Sequence, residues 1–182
     1  MKIREKVLEN EHRRTIYNFV KENPGLHMRE LQRRLKIPLS TLEYHLDYLE
    51  KKEALSLEDD RRYCRYFASE HTTEEKKLLS ALRQKRLREI ILLVLGEEQA
   101  CFKELSREMK IANSTLSHYL NFLTEKEILV KERIGAETCY RVKSEKAVVT
   151  SLLCYQASFL DKLVDNVLAL FLDIDYGKKQ LR

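Results

Sequence analysis

Residues 27–55, HMRELQRRLKIPLSTLEYHLDYLEKKEAL, recur at 101–129 as CFKELSREMKIANSTLSHYLNFLTEKEIL, without a gap, at an offset of 74 and with 13 identities in 29 positions. A period of 74 exceeds the roughly 20–50 residues of solenoid repeats and is the size of a small domain. The 182-residue chain is therefore a duplication rather than one large core. Apolar positions match best across the two copies: Leu31/Leu105, Ile37/Ile111, Leu42/Leu116, Leu46/Leu120 and Leu49/Leu123. Shared apolar spacing implies a shared buried face.

The same offset pairs Ile16, Phe19 and Val20 with Ile90, Leu93 and Val94. Their 3-and-4 spacing makes one helical stripe in each copy. Each unit thus offers three short helices, at 11–22, 28–36 and 39–52 and again at 85–96, 102–110 and 113–126. Asn23-Pro24-Gly25 ends the first helix, because Gly accepts positive φ and Pro cannot continue a helix. After the third helix the period changes. Segments 55–58 and 63–68 flank the polar turn Asp59-Asp60-Arg61-Arg62, segments 129–134 and 138–142 flank Gly135-Ala136, and alternating β-favouring residues around a turn read as a hairpin. Helix, helix-turn-helix and basic hairpin make a winged helix.

Here the chain resembles the ArsR/MarR-like winged helix-turn-helix regulators, especially archaeal proteins that carry two such units. The stretches NPGLHMRELQRRLKIPLSTLEYHLDYLEKKEAL and NSTLSHYLNFLTEKEIL carry the resemblance. The expected architecture is mainly α with small β-hairpin wings. It comprises a first winged helix-turn-helix domain at 1–71, a helical connector at 72–84, a second domain at 85–143, and a C-terminal helix and tail at 144–182. The connector has no Gly or Pro, so a stiff link is expected rather than a flexible one.

A helix-turn-helix places its second helix in the major groove and its first across the backbone. In unit 2, Leu116, Leu120 and Leu123 form the core face. Asn113, Ser114, Thr115, Ser117, His118 and Asn121 are then left to face base edges and phosphates, short or planar hydrogen-bonding groups suited to both. Lys103, Arg107 and Lys110, with Lys131, Arg133 and Arg141 near the wing, are candidate phosphate contacts. Unit 1 offers Ser40, Thr41, Glu43 and Tyr44 on its reading helix and Arg29, Arg33, Arg61 and Arg62 on its flanks. Its Glu43, Asp47 and Glu50 replace Ser117, Asn121 and Thr124, an acidic surface that opposes phosphate. Ser40-Thr41-Leu42-Glu43 also fits a capping box, with Glu43 reaching back to the helix start.

Charge adds modest support. Lys+Arg number 34 against 29 Asp+Glu, a formal +5, so indiscriminate affinity for nucleic acid should be weaker than that of a strongly basic protein. No P-loop, G-x-G-x-x-G, H-E-x-x-H or G-x-S-x-G motif occurs, which argues against an enzyme. No cofactor is expected. Resemblance to ArsR-like proteins raises metal binding through a helix-2 Cys pair, but Glu104-Leu105-Ser106-Arg107-Glu108 has no Cys, so no metal site carries over. Cys64, Cys101, Cys139 and Cys154 have no C-x-x-C spacing and read as reduced cytosolic thiols. Cys64 and Cys139 are expected to pack against the third helix of their units.

Residues 145–174 read as one long helix with Leu153, Leu160, Leu163, Val167, Leu170 and Ile174 at near-heptad spacing. Asp161, Lys162, Asp165 and Asn166 rule this stretch out as a membrane span. The resemblance implies a homodimer through this helix. A cytoplasmic, sequence-specific regulator of promoter DNA is expected, with the basal transcription machinery as a further partner. The alternative is a winged-helix protein-interaction module, which the acidic helix of unit 1 favours.

Overall fold

The computed structural model describes residues 7–59, 63–159 and 164–168. The chain divides into two compact units, Met1–Ser80 and Ala81–Arg182.

Unit 1 begins with α1 (Glu11–Glu22). Asn10 caps it, its side-chain oxygen accepting from the Arg13 amide at 3.2 Å, which satisfies one of the orphan donors of the first turn. Ile16, Tyr17 and Val20 are its buried stripe. The helix stops at Asn23, whose amide and side-chain nitrogen both donate to the Phe19 carbonyl. Gly25 then takes φ 81, and β1 (Leu26–His27) follows. Next come α2 (Met28–Leu35), α3 (Leu39–Lys51) and the hairpin of β2 (Leu55–Asp59) and β3 (Cys64–Ala68). The sheet order is β1-β3-β2, antiparallel throughout. Ile16, Val20, Leu31, Leu42, Leu46 and Leu49 are fully enclosed, so the apolar positions shared by the repeat are the core.

α4 (Thr73–Arg83) spans the division between the units. Thr72 opens it with a reciprocal cap: its hydroxyl accepts from the Glu75 amide at 3.2 Å, and Glu75 accepts from the Thr72 amide at 2.8 Å. Capping boxes lie at 72–75, and at His27/Glu30 and Cys101/Glu104, but not at 40–43. α3 already begins at Leu39 with Pro38 before it and no side-chain cap, so Ser40 falls inside the first turn and the capping role expected of Glu43 fails.

Unit 2 repeats the plan with α5 (Lys85–Gly96), β4 (Ala100–Cys101), α6 (Phe102–Met109), α7 (Asn113–Glu125), β5 (Leu129–Ile134) and β6 (Glu137–Val142). Its sheet order is β4-β6-β5. Both units turn between helices on the same left-handed residues: Lys36 and Lys110 after the first helix of the motif, Glu53 and Glu127 after the second. Behind the latter pair, Ala54 and Ile128 donate back to the Leu49 and Leu123 carbonyls at 2.9 Å, the 6→1 bond of a Schellman ending. Four helix ends thus dispense with glycine, which helps explain how the chain manages with four.

α8 (Glu145–Phe159) closes unit 2 and breaks its helical geometry at Tyr155 (φ −122, ψ 18). The single helix expected over 145–174 is thus kinked. Leu160, Leu163, Leu170 and Ile174 lie outside the described residues. Arg83 anchors the end of α8, donating to the Ser158 carbonyl at 3.0 Å and lying 4.7 Å from the Phe159 ring centre. Arg88, buried nearby, donates to the Leu82 carbonyl at 2.6 Å. Among the described residues no helix is long and apolar enough to cross a membrane.

Candidate nucleic-acid interface

In unit 2 the three core leucines Leu116, Leu120 and Leu123 are completely buried. Their burial turns the opposite face of α7 outward. Asn113, Ser114, Thr115, His118 and Asn121 are exposed and Ser117 is half-buried. Asn113 is held by the Ser106 hydroxyl, which donates to its side-chain oxygen at 2.6 Å. That bond orients the amide and ties the two helices of the motif together. Thr124 instead donates to its own helix at the Leu120 carbonyl, 2.8 Å away.

A groove of about 420 Å³ runs between α7 and the wing. Ser117 and Asn121 line one side; Lys131, Thr138 and Tyr140 of the wing line another, with Phe102 and Lys103 from the start of α6. This is a concave, mixed polar surface with two ammonium groups on its rim. Lys103 is paired with Glu137 across the groove, and that hydrogen bond holds its ammonium above the usual lysine pKa. Lys103 therefore meets a carboxylate before it meets any phosphate. Arg141 is similarly engaged, its Nε donating to Glu132 at 2.6 Å, and Arg107 lies 3.8 Å from Glu108. Lys110, Lys131 and Arg133 are exposed.

The corresponding region of unit 1 has different chemistry. Glu43, Tyr44, Asp47 and Glu50 are exposed on α3, Tyr44 at 66%, with Ser40 exposed and Thr41 half-buried beside them. Tyr66 of β3, the counterpart of Tyr140, is buried close to these carboxylates. Burial first, then Cys64, Asp47, Glu50 and Glu43, push its hydroxyl up to about 12. Arg29 and Arg33 are exposed on α2; Arg61 and Arg62 lie outside the described residues. The two reading helices thus share a core face and differ on the outer one.

Behind the groove, Cys101 and Cys139 form a disulfide across β4 and β6, at directly opposed positions. The expectation of reduced thiols fails for this pair. They are 38 residues apart, and only the two-residue strand β4 brings them together. Cys64, expected against the third helix, is instead exposed, as is Cys154. Unit 1 places His27 and Arg65 at the register of the disulfide. His27 stacks on Tyr63 at 4.6 Å and lies 3.3 Å from Glu30. Sequence reasoning missed the groove residues Phe102, Glu137, Thr138 and Tyr140. The signal was the repeat itself, since Tyr140 aligns with Tyr66 beside the same helix face.

Among the described residues no cluster of His, Cys, Asp and Glu could hold a metal ion. Comparison with known proteins agrees with the duplicated plan. Residues 10–79 match a family model described as an N-terminal HTH domain, and residues 83–131 match the arsR family of bacterial regulatory proteins. A protein of Methanocaldococcus jannaschii described as an HTH-type transcriptional regulator is 29% identical over 138 residues, 76% of this chain. The chain spans about a third, 35%, of that relative's length. Among solved structures, HlyU from Vibrio cholerae aligns at 20% identity and a TM-score of 0.41, covering 46% of this chain and 90% of HlyU. M. tuberculosis Rv0081 aligns at 20% identity and 0.39, covering 50% and 88%. Each half of the chain thus matches a helix-turn-helix family model, and the chain carries two such domains in tandem.

Proposed function

We propose that the protein is a sequence-specific, double-stranded DNA-binding transcription regulator in which unit 2 is the principal reading head. The exposed row Asn113, Ser117, His118 and Asn121 on α7 carries this reading. It presents neutral hydrogen-bonding groups of the kind that pair with base edges, Asn with adenine above all. Lys110, Lys131 and Arg133 supply backbone charge around that row, and the groove beside the wing accommodates a strand of the duplex. The acidic outer face of α3 makes unit 1 the weaker reader, with Glu43 suited to accept from a cytosine amino group.

The protein acts by occupying promoter DNA and not by catalysis. It works in the cytoplasm as a homodimer joined through 144–182, with the basal transcription machinery as its further partner. Two symmetric copies would space equivalent heads by multiples of about 34 Å along one face of the duplex. Selection of bound sequences from a random pool, followed by footprinting, tests the reading. A single enriched motif, tighter than random DNA and losing affinity linearly in log K against log salt, is the expected result. Equal retention of all sequences would refute it.

A further inference from the structure

The Cys101–Cys139 crosslink sits where the reading groove is built. Phe102 and Lys103 follow Cys101 directly, Thr138 and Tyr140 flank Cys139, and all four line the groove opposite Ser117 and Asn121. β4 is only two residues long, with two rungs to β6, Ala100↔Tyr140 and Cys101↔Cys139. Apart from those rungs, the Lys103–Glu137 ion pair links the start of α6 to the wing. Beyond the chain itself, the crosslink is therefore the one covalent tie, among the described residues, between the helix-turn-helix and its wing.

We propose that Cys101–Cys139 is a thiol–disulfide exchange site that sets the DNA affinity of unit 2, the disulfide being the high-affinity form. The proposal rests on unit 2 being the reading head. Cys101 is partly exposed while Cys139 is buried, so a small thiolate reaches the Cys101 sulfur first. Its attack breaks the S–S bond, leaves a mixed disulfide on Cys101 and releases the Cys139 thiolate, which takes a proton. A second low-molecular-weight thiol then displaces Cys101 as a thiol and leaves as the oxidised small disulfide, so two electrons pass from the thiols to the protein. The reverse path uses a small disulfide as oxidant. With the tie open, α6 and the wing keep the short ladder, a surface ion pair and the packing of α6 on β6, but the groove loses its covalently fixed width. Binding must then bear the cost of ordering it. Unit 1 answers differently, because His27 and Arg65 occupy the same register and do not exchange with thiols.

The test uses the full chain with Cys64→Ser and Cys154→Ser, so that thiol trapping and mass spectrometry count only this pair. Equilibration in buffers from reduced to oxidised glutathione precedes measurement of affinity for the selected DNA. Expected is a closed–open transition within the glutathione range, with affinity falling between about 5- and 150-fold on opening, the usual span of coupling between two sites. Cys101→Ser, at the partly exposed position, should bind like the reduced protein and ignore the buffer. Thermal melting of each form verifies that it is folded. A pair that stays closed, or stays open, throughout the glutathione range overturns the proposal, as does a transition that leaves affinity unchanged; the reading of unit 2 survives these outcomes. Absence of specific binding in both redox states would instead overturn that reading, and the proposal with it.

Discussion

His27 and Arg65 stand opposite each other on β1 and β3, and Arg65, only 4% exposed, donates from Nη1 to the Gly25 carbonyl at 2.8 Å. A buried guanidinium needs partners for its donors, and the Gly25 carbonyl is one of them. Arg65→Met keeps much of the volume and leaves the Gly25 carbonyl without this donor. We expect a loss of about 1.5–3 kcal/mol, the range for hydrogen bonds to charged groups, read by urea denaturation. Arg65→Lys should recover only part of it, since a compact ammonium does not reproduce the planar fork.

Two histidines of unit 1 make its stability depend on pH. Burial, then His12 and Arg13, lower the pKa of His45. Burial also lowers that of His27, against the pull of Glu30 and with Arg65 and Arg33 reinforcing the shift. A folded-state value below the unfolded one means that the unfolded chain binds protons first. Stability is therefore full above about pH 6.5, the unfolded histidine value, and declines as pH falls from there toward the lower folded values. His45→Tyr, which installs the residue found at Tyr119 in unit 2, should flatten this decline. Thermal melts between about pH 7.5 and 5, bracketing that unfolded value, check it, and an unchanged slope would contradict the assignment.

Ser117→Glu with Asn121→Asp gives α7 the acidic character of α3. Each lost base-directed contact should cost about 10- to 100-fold in affinity, while the melting temperature moves little because Asn121 is exposed and Ser117 half-buried. Fluorescence anisotropy with the selected DNA measures the first and calorimetry the second.

Glu137→Gln predicts the opposite sign. It removes a carboxylate from the groove and frees Lys103 from its ion pair. Binding should tighten, and the slope of log K against log salt should steepen by about one unit for one additional phosphate contact. Lys131→Ala should make it shallower by about the same amount.

Glu53 and Glu127 hold φ of 55 and 60 at the ends of α3 and α7. Left-handed geometry costs a side-chain-bearing residue roughly 1–2 kcal/mol, and Gly escapes that cost at some entropic expense. Glu53→Gly and Glu127→Gly should each stabilise the protein by about 1 kcal/mol, measured by chemical denaturation.

The helices of both motifs were legible because their apolar residues fall at helical spacing and recur at one offset. The hairpins were legible because that spacing gives way to alternation. β1 and β4 were not, since two residues carry no period and exist only through pairing with β3 and β6. The disulfide was hidden for the same reason: its register follows from β4, and no local Cys spacing announces it. The start of α3 misled the reading of Glu43, because Ser40 looks like a cap although Pro38 and Leu39 already open the helix. On the interface, outward residues of α7 followed from inward leucines. The ion pairs that occupy Lys103 and Arg141 depend on cross-strand geometry, which charge counting does not contain.

Tandem copies of one sequence carry a hazard during synthesis and refolding, because a strand of one copy can seek its partner in the other. The register pair separates the copies. Were β4 to pair with β3, Cys101 would meet Arg65; were β1 to pair with β6, His27 would meet Cys139. Neither exchange can close a disulfide, and both part His27 from Arg65. The rungs of the two copies are thus chemically distinct, and a wing paired with the wrong copy would lack both the crosslink of unit 2 and the His27–Arg65 register of unit 1.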